Sequence, residues 1–138
     1  MIIERITEYN FEDALSLADK AYEEIRDKIE PYTPRSSVKA LIARCLSGKD
    51  LLGFIYRNED NDSEGYFVMG KEVASKKDEI WARVFEIYST DKLITGAMIN
   101  KIKEICKQVN ATRCLGLTYR TDPEVWERAW GCKLVQIL

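Results

Sequence analysis

One stretch of the chain, residues 79–119, constrains the fold more than any other. Residues 80–88 carry apolar side chains at both even and odd positions (Ile80, Trp81, Ala82, Val84, Phe85, Ile87 and Tyr88), the pattern of a central strand covered on both faces. Ser89-Thr90-Asp91 follows as a short turn. From there Ile94, Met98, Ile102, Ile105, Cys106 and Val109 recur at spacings of three and four, which predicts a helix over 92–109 with one buried stripe. Residues 113–119 read as a second strand. A strand, a crossover helix and a strand in this order make a βαβ unit, right-handed and with parallel strands. Its strand-to-helix turn presents unpaired backbone N–H groups and the positive end of the helix dipole, a natural seat for a phosphate-bearing ligand.

The remaining segments wrap around this unit. Residues 1–6 alternate weakly and read as a short strand. Asn10 followed by Asp13 resembles a capping box, in which a side-chain oxygen takes an orphan N–H at a helix start. Ala14, Leu15, Leu17, Ala18, Ala21, Tyr22 and Ile25 then define an amphipathic helix over 11–28. Pro31 and Pro34 break the chain, and Thr33 as cap with Pro34 opens a helix over 34–47 that Gly48 closes. Residues 51–57 form a strand, the polar cluster 58–65 a turn, and 66–73 the returning strand of a hairpin. The acidic turn lacks the register of a calcium loop. A short helix over 122–130, carrying Val125, Trp126, Ala129 and Trp130, ends at Gly131, and 132–138 make a last strand. The order β-α-α-β-β-β-α-β-α-β predicts an α/β (α+β) single domain over 1–138, one mixed central sheet with helices on both faces. The expected core is Leu15, Ala18, Leu41, Phe54, Val84, Phe85, Met98, Ile102, Leu115 and Leu117.

Composition excludes several functions. With no histidine in 138 residues, mixed Cys/His zinc sites, histidine triads and histidine general bases are ruled out, and no metal site is expected. A net charge of −2 leaves no electrostatic footprint for nucleic acid. No apolar run is long enough to span a membrane. Cysteines at 45, 106, 114 and 132 lack C-x-x-C spacing and read as reduced thiols of a cytoplasmic protein. With no histidine to activate a thiol, and with Cys106 and Cys114 on positions expected to be buried, nucleophilic catalysis by cysteine is set aside. Trp81, Trp126 and Trp130 read as core or interface anchors rather than base-stacking platforms.

The element order, the Leu51-Leu52-Gly53-Phe54-Ile55 strand, the strand-turn-helix at 80–109 and Trp130-Gly131-Cys132-Lys133 together resemble the GNAT superfamily of acyl-CoA-dependent N-acyltransferases over essentially the whole chain. The resemblance implies acetyl-CoA or another acyl-CoA as co-substrate and an amine-bearing small molecule or protein as acceptor. It also implies a pyrophosphate cradle in the turn after the fourth strand, where the family carries an Arg/Gln-x-x-Gly-x-Gly/Ala pattern. Here that pattern falls on Asp91-Lys92-Leu93-Ile94-Thr95-Gly96, of which only Gly96 matches. Asp91 puts a carboxylate beside the phosphates, and the Ile94 side chain is expected to obstruct backbone approach. Lys92 and the hydroxyls of Ser89, Thr90 and Thr95 offset this. The cofactor-binding set implied is Ile87, Tyr88, Ser89, Lys92, Thr95 and Gly96; the alternative is that Ser89-Thr90-Asp91 simply caps the helix.

The resemblance further implies that a carboxylate or an ordered water deprotonates the amine, and that a tyrosine four residues before the glycine at 131 protonates the leaving thiolate. That position holds Glu127, so Tyr119 is the substitute. Glu86, inside an otherwise apolar strand, is the general-base candidate, since partial burial raises a carboxyl toward the working pH range; its structural alternative is an ion pair with Arg83 or another cation near the sheet edge. Compact chains with an eroded CoA motif also resemble GNAT-like proteins of tailed bacteriophages. That resemblance implies a catalytically inactive structural or interaction module with virion proteins as partners. Homodimerisation through an open edge of the last strand is a further expectation.

Overall fold

The structure, a computed structural model, describes residues 1–26, 35–47, 49–72 and 77–116. Strand β1 (Ile2–Arg5) is followed by helices α1 (Phe11–Arg26) and α2 (Arg35–Arg44). After a 3₁₀ turn at Cys45–Ser47 come β2 (Leu51–Arg57), β3 (Ser63–Lys71), β4 (Trp81–Ser89), α3 (Lys92–Gln108) and β5 (Arg113–Gly116). The sheet runs β1-β2-β3-β4-β5, antiparallel as far as β4 and parallel between β4 and β5. This is the predicted mixed sheet and βαβ unit, and it is the GNAT-like fold as far as the described residues extend. The helix expected at 122–130 and the strand at 132–138, with its open edge, lie outside the described residues, as do Thr33, Pro34, Gly48 and Leu117.

Two cores lie on opposite faces of the sheet. On one face, Ile55, Tyr66 and Val68 pack with Ala14, Leu17 and Ala18 of α1 and Val38 and Ile42 of α2. On the other, Tyr56, Phe67, Met69, Ala82 and Val84 pack under Ile94, Met98, Ile102 and Ile105 of α3. The alternation along β2 and β3 follows from the strand period of two, which sends neighbouring side chains to opposite faces.

The expected core is partly displaced. Ala18, Val84, Met98 and Ile102 are buried, whereas Leu15, Leu41, Phe54, Phe85 and Leu115 are only partly covered. The deepest two-sided strand is β3 rather than β4, because β3 is paired on both edges from Gly65 to Gly70 while β4, among the described residues, meets β5 only from Trp81 to Val84; Tyr66, Phe67 and Val68 are all fully buried. Asn10 also departs from the capping-box expectation. Its side chain turns back, accepting from the Thr7 N–H at 2.8 Å and donating to the Arg5 carbonyl at 2.9 Å. Asp13 is thereby left to Arg57. That guanidinium, 10% exposed, also takes Glu4 at 2.6 Å and so ties β1, α1 and the end of β2 together.

Helix α3 comes close to β3 only because position 65 is glycine: a Cβ there would stand 2.9 Å from Ile94 Cγ2 and 3.0 Å from the Tyr88 carbonyl oxygen. Gly65→Ala should therefore cost about 1–3 kcal/mol by overpacking, and Met98→Ala about 2–5 kcal/mol by cavity formation. Leu93→Ala, at a residue 78% exposed, should stay within about 0.5 kcal/mol of the parent. Urea denaturation of the three variants checks the ranking; equal midpoints would contradict the assignment of faces.

Candidate functional site

The site is built around an irregularity in β4. Val68 of β3 pairs with Glu86, but the next residue, Met69, pairs with Val84, so Phe85 has no partner opposite it. This is a β-bulge, an extra residue that changes which side chains face which way. Val84 points toward α3, Phe85 toward the α1 and α2 face, and the alternation then restarts with Ile87 toward α3 and Tyr88 toward α1 and α2. Glu86, opposite Val68 and two residues from Tyr88, shares their face. Among the described residues β4 pairs with β5 only from Trp81 to Val84, below the bulge.

Glu86 is half-buried, and burial pushes its carboxyl up to about 7. Arg83 is instead engaged with Glu72 at 3.2 Å and lies over the Phe85 ring. Around Glu86 stand two tyrosines that the sequence did not single out together. Tyr88 donates its hydroxyl to Glu24 of α1 at 2.8 Å, and burial followed by that carboxylate raises its pKa. Tyr66 is fully buried, its hydroxyl has no hydrogen-bond partner among the described residues, and burial together with the Glu86 charge raises it well above the usual range. A buried hydroxyl without a partner is costly, and this one lies on the same face as the Glu86 carboxyl. The only sequence signal for it was Tyr66 within an apolar run; the juxtaposition arises from strand register.

At the top of β4 the turn into α3 is closed by its own side chains. Asp91 is the N-cap, its carboxylate accepting from the Leu93 N–H at 2.6 Å. The Ser89 hydroxyl accepts from the Asp91 N–H at 3.0 Å, and Thr95 Oγ1 lies 3.0 Å from Ser89 Oγ. Thr90 is bound to the Glu64 carbonyl. The capping role expected for Ser89-Thr90-Asp91 is thus present. A helix start has four orphan N–H groups; after this capping, those of Lys92 and Ile94 remain without an acceptor among the described residues. Gly96 presents open space where a Cβ would be, and Lys92 is exposed. These features fit an anionic ligand, with the Asp91 carboxylate as the opposing element.

Ile94 does not obstruct the turn as expected. Its side chain is 4% exposed and packs inward with Met98 against β3 and β4, because it is the first residue of the helical stripe that faces the core. Ile87 is likewise packed toward α3, so its backbone alone borders the proposed groove. Tyr119, Trp126, Glu127, Trp130, Gly131 and Cys132 lie outside the described residues. Among the described residues no helix is long and apolar enough to cross a membrane.

No protein-family model and no curated protein matches the chain. Solved structures do. A predicted acetyltransferase from Clostridium acetobutylicum, solved with acetyl-CoA, is 11% identical with a TM-score of 0.75 over 99% of this chain and 93% of its own. An aminoglycoside antibiotic 6′-N-acetyltransferase from Acinetobacter haemolyticus is 14% identical with a TM-score of 0.70 over 100% of this chain and 94% of its own. AAC(6′)-Iy, bound to the bisubstrate analogue CoA-S-monomethyl-acetylneamine, is 12% identical at 0.70, over 99% of this chain and 93% of its own. At these identities the likeness is one of fold.

Glu86 makes the site visible in stability. Its carboxyl moves from 4.5 to about 7, so between those values the folded protein retains a proton that the unfolded chain has released. Its contribution is fully present below the lower value and is lost as pH rises through the upper one, a total of up to about 3 kcal/mol. Glu86→Gln should abolish that decline. Denaturant midpoints measured across the window should separate in favour of the variant as pH rises; parallel curves would mean that the carboxyl is fully hydrated.

Proposed function

We propose that this protein is a GNAT-type N-acyltransferase that moves an acetyl group from acetyl-CoA to an amine. The observation that carries the reading is Glu86: a half-buried carboxyl beside the β4 bulge, unpaired by any cation among the described residues and titrating near neutrality. A general base with that property is ionised often enough to accept a proton and basic enough to hold it. The fold shared with acetyltransferases solved with acetyl-CoA or a CoA analogue supports the assignment.

In this reading the backbone of Ile87 and Tyr88 borders the pantetheine arm. The first-turn N–H groups of α3, with Lys92, Ser89, Thr95 and Gly96, receive the phosphates. The acceptor amine enters on the α1 and α2 face and attacks the thioester carbonyl. As the N–C bond forms and the C–S bond breaks, Glu86 takes the amine proton. Protonation of the departing thiolate is the role proposed for Tyr119. An amine-bearing small molecule fits a face on which Glu86 and Glu24 both present carboxyl groups.

One observation favours a second reading, a non-catalytic module with a protein partner such as a second copy or virion proteins. Asp91 already occupies the Leu93 N–H and adds a negative charge where phosphates would lie. The magnitude decides how serious this is. Asp91 is exposed, so water-like screening applies, and a like charge at about 5 Å costs roughly 0.8 kcal/mol per unit. That weakens binding about fourfold, which is not enough to close the site.

Calorimetric titration with acetyl-CoA tests both readings. Binding in the high-micromolar range is expected for the parent, and about fourfold tighter for Asp91→Asn, which keeps a capping oxygen and removes the charge. Glu86→Gln should bind acetyl-CoA unchanged and lose about 10²–10⁴ in turnover of amine acceptors. Absence of binding by parent and Asp91→Asn alike would establish the second reading.

A further inference from the structure

Helix α3 and strand β5 are joined by a tight turn with a cysteine on each side of it, Cys106 and Cys114. Val109 caps the helix and Asn110 follows with a φ of 58°. The Asn110 N–H reaches the Lys107 carbonyl at 3.2 Å, and the Ala111 N–H the Cys106 carbonyl at 2.9 Å. That pair of bonds is a Schellman closure, which fixes where β5 begins relative to the last turns of α3. The Thr112 N–H is then held by the Ile80 carbonyl at 2.8 Å, setting the strand in register with β4. Cys114 pairs with Ala82, whose side chain belongs to the α3-side core, so Cys114 lies on the face that α3 covers. Cys106 packs against the same core from the helix. Both side chains thus lie on the α3 side of the sheet beside this turn, Cys106 half-buried and Cys114 exposed.

We propose that Cys106 and Cys114 are a redox-active pair that hydroperoxides convert reversibly to a disulfide. The site is independent of the acyltransferase reading. The hydrogen bond from Cys114, acting against burial, holds the Cys106 thiol down to about 7, so near neutral pH much of it is thiolate, the nucleophilic form. The Cys106 thiolate attacks one oxygen of hydrogen peroxide and the O–O bond breaks. Sulfur is oxidised to sulfenic acid, and the displaced hydroxide takes a proton and leaves as water. The Cys114 thiol then loses its proton and attacks the Cys106 sulfur; the S–S bond forms, the S–O bond breaks and a second water departs. Two thiols and one peroxide thus give one disulfide and two waters. Two cysteines on one face of the sheet beside a closed turn need only side-chain rotation and local adjustment to reach an S–S length of about 2.05 Å, and the exposure of Cys114 opens the pair to the oxidant. Cys45 shows the contrast, since burial lifts its thiol to about 11 and it sits inside the α1 and α2 core.

The test uses the Cys132→Ser protein, which leaves Cys45, Cys106 and Cys114. Treatment with one equivalent of hydrogen peroxide and peptide mass spectrometry should reveal a 106–114 cross-link, a mass loss of two hydrogen atoms that dithiothreitol reverses, and an unmodified Cys45. Iodoacetamide labelling of Cys106 in the reduced protein should have its midpoint near 7 rather than at the ordinary value of 9.0. In Cys114→Ser the sulfenic acid on Cys106 should persist long enough for dimedone to trap it, and in Cys106→Ser oxidation should slow at least tenfold. Direct conversion of Cys106 to sulfinic acid with Cys114 still reduced would overturn the pair, as would cross-links through Cys45 or a labelling midpoint near the ordinary value.

Discussion

The candidate site depends on one extra residue in β4. Strict alternation from Val84 would send residue 86 beneath α3, into the layer filled by Met98 and Ile102, where a carboxyl would have neither solvent nor a partner. The bulge at Phe85 rotates the strand by one position, so that Glu86 instead joins Tyr66 and Tyr88 on the α1 and α2 face. The same shift keeps Ile87 on the α3 side, so neither core is interrupted. An ionisable group is thereby admitted to the middle of a sheet that is otherwise apolar on both faces.

The turn above the bulge shows how little separates a structural cap from a ligand site. Both exploit the same orphan N–H groups. Asp91 and Ser89 satisfy part of the set with side-chain oxygens, while Lys92, Ile94 and the bare Cα of Gly96 leave the rest accessible. Charge and not shape distinguishes this turn from one built for phosphate, because Ile94 is committed to the core.

The elements with strong periodicity were legible in the sequence. The 92–109 stripe appears as α3 at Lys92–Gln108, and 51–57 appears unchanged as β2, since apolar spacing at these positions is set by burial alone. The unusual placement of Glu86 was also legible, as a charge within an apolar run. What was not legible depends on contacts between distant segments. The bulge needs β3 as its ruler; the pairing of Tyr66 with Tyr88 and the commitment of Arg83 to Glu72 follow from register. Asn10 looked like a helix cap because local sequence cannot show that Thr7 and Arg5 offer it better-placed partners. Cys114 read as buried because its strand is apolar, yet the described part of β5 is mostly exposed.

The Arg57 cluster has a consequence for the order in which the chain assembles. Strands β2, β3 and β4 with α3 form a run of sequential neighbours whose contacts close short loops, while Arg57 reaches 44 residues back to Asp13 and 53 back to Glu4. Closing such spans costs chain entropy before any contact rewards it. On chain entropy alone the N-terminal strand is therefore expected to dock last, on a β2 edge that the meander has already made. The buried guanidinium is the latch that records its arrival, since its two carboxylates come from the two segments that must travel furthest to reach it.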